Sequence, residues 1–268
     1  MIEEKKNYGF IAPEIDYEKD YVLGGFRSAP EEVLQENGQW DTFIPIPEIQ
    51  HNPVFDSYNC TGYGTLNALE ILMLRKFGKT INFSERYTGI NAGTYPPGNS
   101  PQKVIESIRT EAGLIEEFYL SFFNNDKMTL DEYYSPRPMK DELLRKGKRF
   151  LEEYELKHEW VFWPTEKDKP AKLKEALKSS PLGVSVMAWR KDGEFYVKNE
   201  GEQDNHWTTL FGYEDKKYWK IYDSYEDTIK FLAWDYDFGY AKRYFIRKFI
   251  PTQSWFGGFI RYFQEIIK

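Results

Sequence analysis

Cys60, the one cysteine of this 268-residue chain, stands at the start of a segment with helical periodicity. Leu66, Leu69, Leu72, Met73 and Phe77 form its apolar stripe, and Gly78 is a natural stop. Unpaired backbone N–H groups at a helix tip favour negative charge, so a thiol placed there is expected to ionise readily and act as a nucleophile. A lone cysteine is more often an inert core residue, so the position needs a partner before it implies chemistry. His206 supplies one. It opens the strand-like run HWTTLFGY, 146 residues after Cys60, and Asp223 follows 17 residues later in YWKIYDSY. A hairpin joining the two runs returns the carboxylate to the imidazole, where it accepts a ring N–H and fixes the tautomer. His51 and His158 are the remaining histidines. His51 adjoins Gln50 and either lines the cleft or lies on the surface; His158 reads as a packing or surface residue.

The elements that must position these groups are legible in outline. Asp56, Ser57 and Asn59 are all candidate N-caps for the Cys60 helix. A second helix is expected from Ser100 to Gly113, with Pro101 in its first position and Val104, Ile105, Ile108 and Ala112 as its stripe. Further helices are expected at about Lys140–Tyr154 and Pro170–Lys178. After Pro181 the pattern turns to short β-branched and aromatic runs, among them GVSVMAW, EFYV, HWTTLFGY, YWKIYDSY and AKRYFI. The first fifty residues read as irregular or short-stranded, with turn signals at Gly24-Gly25 and Asn37-Gly38. Helices in the first half and strands in the second imply an α+β fold, a helical lobe packed on an antiparallel β-rich lobe.

The order of these pieces resembles the papain family of cysteine peptidases, in a divergent bacterial or phage form. NCTGYGTLNALE resembles that family's nucleophile helix, including a glutamate ten residues on, Glu70. DNHWTTLFGYEDKKYWKIYDSY is similar to its histidine and asparagine segment, and FSERYTGINAG with the residues that follow to the stretch between helix and crossover. The likeness runs from about Gln50 to Phe245. It implies a two-lobed papain-like fold, a Cys60–His206–Asp223 triad and an oxyanion hole made by the Cys60 N–H and a side-chain amide. Gln50 is the candidate amide, with a surface glutamine as the competing reading. Asn91, Ala92, Gly93 and Tyr95 would form the wall that holds an extended peptide, although an ordinary loop accounts for them equally well. The chain departs from the family where Asp223 replaces asparagine, Tyr225 replaces a tryptophan and Thr61 follows the nucleophile. The first fifty residues look too short and too poorly helical for an inhibitory pro-region, so latency is not expected.

A net charge of −7 argues against a nucleic-acid partner, and the lysines from Lys167 to Lys174 alternate with Glu166, Asp168 and Glu175. No cofactor, metal site, phosphate loop or membrane span is expected, and the N-terminus lacks the apolar core of a signal peptide. A cytoplasmic or virion-associated protein fits. The expected division is an N-terminal extension packing on the core (1–49), a catalytic domain (50–250) and a C-terminal amphipathic helix (251–268). On that helix Phe259, Tyr262, Phe263, Ile266 and Ile267 share one face, which packs on the protein itself or meets a protein partner. The implied activity is hydrolysis of peptide or protein substrates through an acyl-enzyme. An amidase or transpeptidase using the same triad, and a non-catalytic papain-like structural or binding component of a cellular or phage assembly, are the alternatives.

Overall fold

A computed structural model describes residues 7–16, 20–23, 32–122, 126–135, 139–226 and 228–249. The C-terminal amphipathic segment and the Gly24-Gly25 turn lie outside them. In chain order the elements are β1 (Gly9–Phe10), α1 (Cys60–Phe77), α2 (Glu85–Asn91), β2 (Gly98–Asn99), α3 (Pro101–Ser107), α4 (Leu130–Tyr133) and α5 (Asp141–Glu153). Then come β3 (Tyr154–Phe162), α6 (Lys169–Leu177), β4 (Leu182–Val186), β5 (Lys191–Asp192), β6 (Phe195–Tyr196), β7 (His206–Glu214), β8 (Tyr218–Tyr222), β9 (Ile229–Ala233) and β10 (Ala241–Lys248). The eight-stranded sheet runs β3-β10-β4-β7-β8-β9-β6-β5, antiparallel except between β6 and β9; β1 and β2 form a separate parallel pair. The fold is α+β and papain-like, as expected, with a helix bearing Cys60 packed on a large antiparallel sheet.

Glycine decides how close α1 comes to that sheet. A Cβ on Gly64 would lie 2.9 Å from Trp207 Cδ1 and 3.2 Å from the Thr208 Cα, so β7 presses directly on the helix. The Thr209 hydroxyl donates to the Gly64 carbonyl at 2.9 Å and ties the two together. At the other end Gly78, at φ 64°, ends α1 in the left-handed turn that its sequence forecasts.

Several elements differ from expectation. The second helix is α3 continued by a wider turn over Ile108–Ala112 before Gly113. α2 falls in a stretch read as loop; Ser84 caps it by accepting from the Tyr87 N–H. β3 and β9 were also not foreseen. β3 buries the adjacent His158 and Glu159 on its opposite faces, where polar partners rather than apolar neighbours receive them: Arg243 bonds Glu159, and Lys242 lies 3.0 Å from His158 Nδ1. His158 is therefore a packing residue, with Glu106 at 2.7 Å on its other nitrogen. Burial, with the Lys242 charge, pushes its pKa down to about 3.

Glu70, on the Cys60 helix itself, belongs to a group of buried acids with Glu48, Glu85 and Glu117. The Phe83 N–H donates to Glu70 at 2.7 Å, and Asn82 donates to Glu48 at 2.8 Å. Desolvation, then mutual repulsion, raises Glu70 and Glu85 well above the usual carboxylate range, and burial raises Glu48. Groups raised by folding stabilise the native state fully in acid and lose that contribution as pH climbs through their raised values. Urea unfolding should therefore show Glu85→Gln more stable than the parent at about pH 8, with the gap closing towards about pH 4. A gap independent of pH would remove the charge explanation. Gly64→Ala should cost roughly 1–3 kcal/mol in the same assay, because the helix must lift from β7.

Candidate functional site

Cys60 is the first residue of α1 and is fully buried. Of the three candidate caps Asn59 occupies the N-cap position, but its side chain makes no cap hydrogen bond. Asn59 instead sends its amide to the Glu85 carbonyl at 2.8 Å and the Tyr133 hydroxyl at 3.1 Å, wedged between Gly62 and Gly89. The Cys60 sulfur faces the backbone N–H groups of Trp207 and Thr61, which favour the thiolate; burial outweighs them and pushes the thiol well above its ordinary pKa. The expectation of a readily ionised thiol is thus reversed in this state of the molecule. A helix tip lowers a thiol pKa where water or a cation shares the charge, and here the sulfur is packed with Phe10, Trp160 and Trp207.

His206, the first residue of β7, is also fully buried. Its Nε2 lies 2.6 Å from Asp223 Oδ1, while its Nδ1 is buried without a hydrogen-bond partner. The rings of Tyr8, Trp189 and Tyr225 meet the imidazole edge-on, with centroids 5.8, 5.5 and 5.4 Å away. Burial alone would raise the Asp223 carboxyl. The charge and hydrogen bond of His206, followed by those of Lys230, hold it at about 2 instead. Tyr225, standing where a tryptophan was expected, still covers the imidazole and adds a hydroxyl that bonds Asp56.

Gln50 is buried and fixed from both ends. Ser224 donates to its Oε1 at 2.8 Å, and its Nε2 reaches Asp56 at 2.9 Å, the Tyr225 hydroxyl at 2.9 Å and the Tyr8 carbonyl at 3.1 Å. That last acceptor is a main-chain carbonyl of the N-terminal segment. The Tyr8 N–H in turn donates to the Asn205 carbonyl at 3.0 Å, one residue before His206. Gly9 and Phe10 pair with Gly98 and Asn99, and the Ile11 N–H donates to Asn99 at 2.9 Å. Residues 8–11 therefore form a strap, and Phe10 stacks on Trp207 in the apolar cluster that holds Cys60. A strap needs only a short extended run, not a helical pro-region.

Only glycine fits at the strap's centre. Gly9 has φ 112°, and a Cβ there would sit 2.2 Å from the Tyr58 carbonyl oxygen. The strap divides the surface: Tyr8 borders a cavity of about 550 Å³ with His51, Trp189 and Tyr225, and Phe10 borders another of about 640 Å³ with Asp204 and Tyr240. His51 thus lines a cavity, its Nε2 2.9 Å from a Glu226 oxygen. The edge that receives the strap is Gly98–Asn99. Asn91, Ala92, Gly93 and Tyr95 build the turn behind it, with Asn99 Nδ2 bonding the Ala92 carbonyl at 2.9 Å. Gly98, at φ 133° and facing Gly9, is the signal that could have found this edge. Among the described residues no group of three or more His, Cys, Asp or Glu side chains is arranged to hold a metal ion. No helix among them is long and apolar enough to cross a membrane.

No protein-family model matches the chain, and no curated protein matches its sequence. Its fold is similar to that of solved cysteine proteases. One is the Amb a 11 cysteine protease, a ragweed pollen allergen, in its proform: TM-score 0.51 at 14% identity, over 76% of this chain and 63% of that one. Another is the bromelain protease from Ananas comosus with the E64 inhibitor: TM-score 0.53 at 18% identity, over 76% of this chain and 96% of that one.

Replacing Gly9 with alanine should expel the strap and expose Cys60 to water. Iodoacetamide should then alkylate Cys60 at least about tenfold faster than in the parent, as uncovering lowers the thiol pKa and opens a path. Equal rates would show that the strap does not control access.

Proposed function

We propose that this chain is a cysteine peptidase in which Cys60 is the nucleophile, His206 the proton carrier and Asp223 its orienting partner. The observation that carries the reading is the strap's backbone. A peptide carbonyl rests on the Gln50 amide while its own N–H is held by the Asn205 carbonyl. A cleft with these two contacts recognises extended peptide by main-chain groups alone. That favours a peptide substrate over a small amide.

Catalysis on this reading begins when the strap gives way to substrate. His206 takes the Cys60 proton on Nδ1, the ring nitrogen left free by the Nε2–Asp223 bond. The thiolate attacks the carbonyl carbon. Negative charge gathers on the carbonyl oxygen, where Gln50 Nε2 and the Cys60 N–H donate to it. His206 returns the proton to the leaving amine, and water then hydrolyses the thioester. The aromatic rings around His206 keep bulk water from the His206–Asp223 contact, so a small charge displacement there is felt strongly.

A second reading, a non-catalytic papain-like binding module, draws on the full burial of Cys60 and the upward shift of its thiol. Reactivity separates the two. In the Gly9→Ala background at neutral pH, adding His206→Ala should slow alkylation of Cys60 by about a hundredfold. A peptide-library digest with Gly9→Ala should yield cleaved products that vanish with Cys60→Ala. If the double variant reacts as fast as Gly9→Ala and no peptide is cut, the binding module stands. A reactive thiol without peptide cleavage would favour the amidase or transpeptidase form.

A further inference from the structure

Lys230 sits at an inward position of β9, where the strand pattern calls for an apolar side chain such as neighbouring Leu232. It is 2% exposed. Its Nζ lies 2.8 Å from Asp223 Oδ2 and donates to the Glu226 carbonyl at 2.7 Å; the ammonium also lies 5.1 Å from the Trp189 ring centre. His206 occupies the other oxygen of the same carboxylate at 2.6 Å. One buried acid thus serves two donors on opposite oxygens, the Lys230 ammonium and the His206 ring N–H. A buried lysine is costly unless its charge is used.

We infer that Lys230 is a positioning residue that offsets the charge of Asp223 and thereby sets the proton affinity of His206. This rests on the reading of His206 as the proton carrier. An unshared carboxylate at 2.6 Å would hold the imidazolium so tightly that returning the proton to a leaving amine becomes slow. Sharing the carboxylate with Lys230 keeps the strong, directional bond of an anion but removes most of its net field. The Asp–Lys pair then acts electrostatically like one neutral amide. The rings of Tyr8 and Tyr225 also meet the imidazole; Asp56 lies behind, bonded to the Tyr225 hydroxyl, and Glu226 is paired with His51. None of them duplicates the Lys230 charge.

The chain has three histidines, so the titration of His206 can be followed by NMR on the full-length protein labelled at histidine. Lys230→Met should move it upward by about one pH unit or more, and Asp223→Asn should move it downward. The neutral pair Asp223→Asn/Lys230→Met should return it close to the parent, and Lys230→Arg should leave it unchanged. Should Lys230→Met fail to fold, comparing Asp223→Asn with the neutral pair isolates the same charge, and its removal must raise the titration. A His206 titration that ignores loss of the Lys230 charge in both backgrounds overturns the inference. Because the readout needs no turnover, it stays separate from the peptidase reading: that reading fails if the expected shifts appear and no peptide is cut.

Discussion

The closeness of α1 to β7 is the constraint on which the rest of the site depends. Gly64 has no side chain to hold the strand away, so the Trp207 indole and the Thr208 backbone lie directly on the helix. That contact brings the Trp207 N–H to the Cys60 sulfur and fixes where His206 emerges one residue earlier. Farther out, Asn59 fills the space between Gly62 and Gly89 and joins α1 to α2. Three glycines thus convert an ordinary helix-on-sheet packing into one where neighbouring groups rest directly on bare helix backbone at the reactive end. A backbone contact has few alternative arrangements, so it defines the geometry of the sulfur more rigidly than interlocking side chains would.

Charge is buried on both sides of this contact, and the two sides solve the cost differently. Around His206 the Asp223 carboxylate is kept ionised by the His206 ring and the Lys230 ammonium, and its proton affinity falls. On α1 and beside it the acids Glu70, Glu48 and Glu85 are instead driven towards the protonated form by desolvation. Pairing preserves a charge that can do chemistry; protonation removes one that would otherwise weaken the core. Asp223 is thus held charged, while Glu70 and its acidic neighbours are pushed the other way.

The helices and central strands were readable because their burial is one-sided and their periods are regular. α1, β7 and β8 follow from apolar spacing and from the turn between the two strands. Cys60, His206 and Asp223 stood out because a thiol at a helix tip and an acid across a hairpin from an imidazole are local signals. What escaped depends on distant partners. β3 hides behind Glu159 and His158, polar residues buried on its two faces, whose partners Arg243 and Lys242 lie on neighbouring β10. β9 is short, and its Lys230 breaks the alternation for reasons visible only beside Asp223. The strap is two paired residues long, and its defining feature is Gly9 against Gly98, 89 positions apart. The thiol's raised pKa was equally invisible, because a helix tip is a local property and desolvation is not.

The strap's backbone contacts have a thermodynamic corollary. Asn205 offers one carbonyl and Gln50 one amide, and the strap uses both, so any peptide entering the cleft competes with it for the same groups. Because the strap is covalently joined to the body it covers, its local concentration is of the order of millimolar or above. A few hydrogen bonds of ordinary strength then suffice to keep the cleft closed against a dilute rival. A chain break just after Ile11, before the chain is anchored again at Val22 and Trp40, would turn this tethered ligand into one that dilution releases.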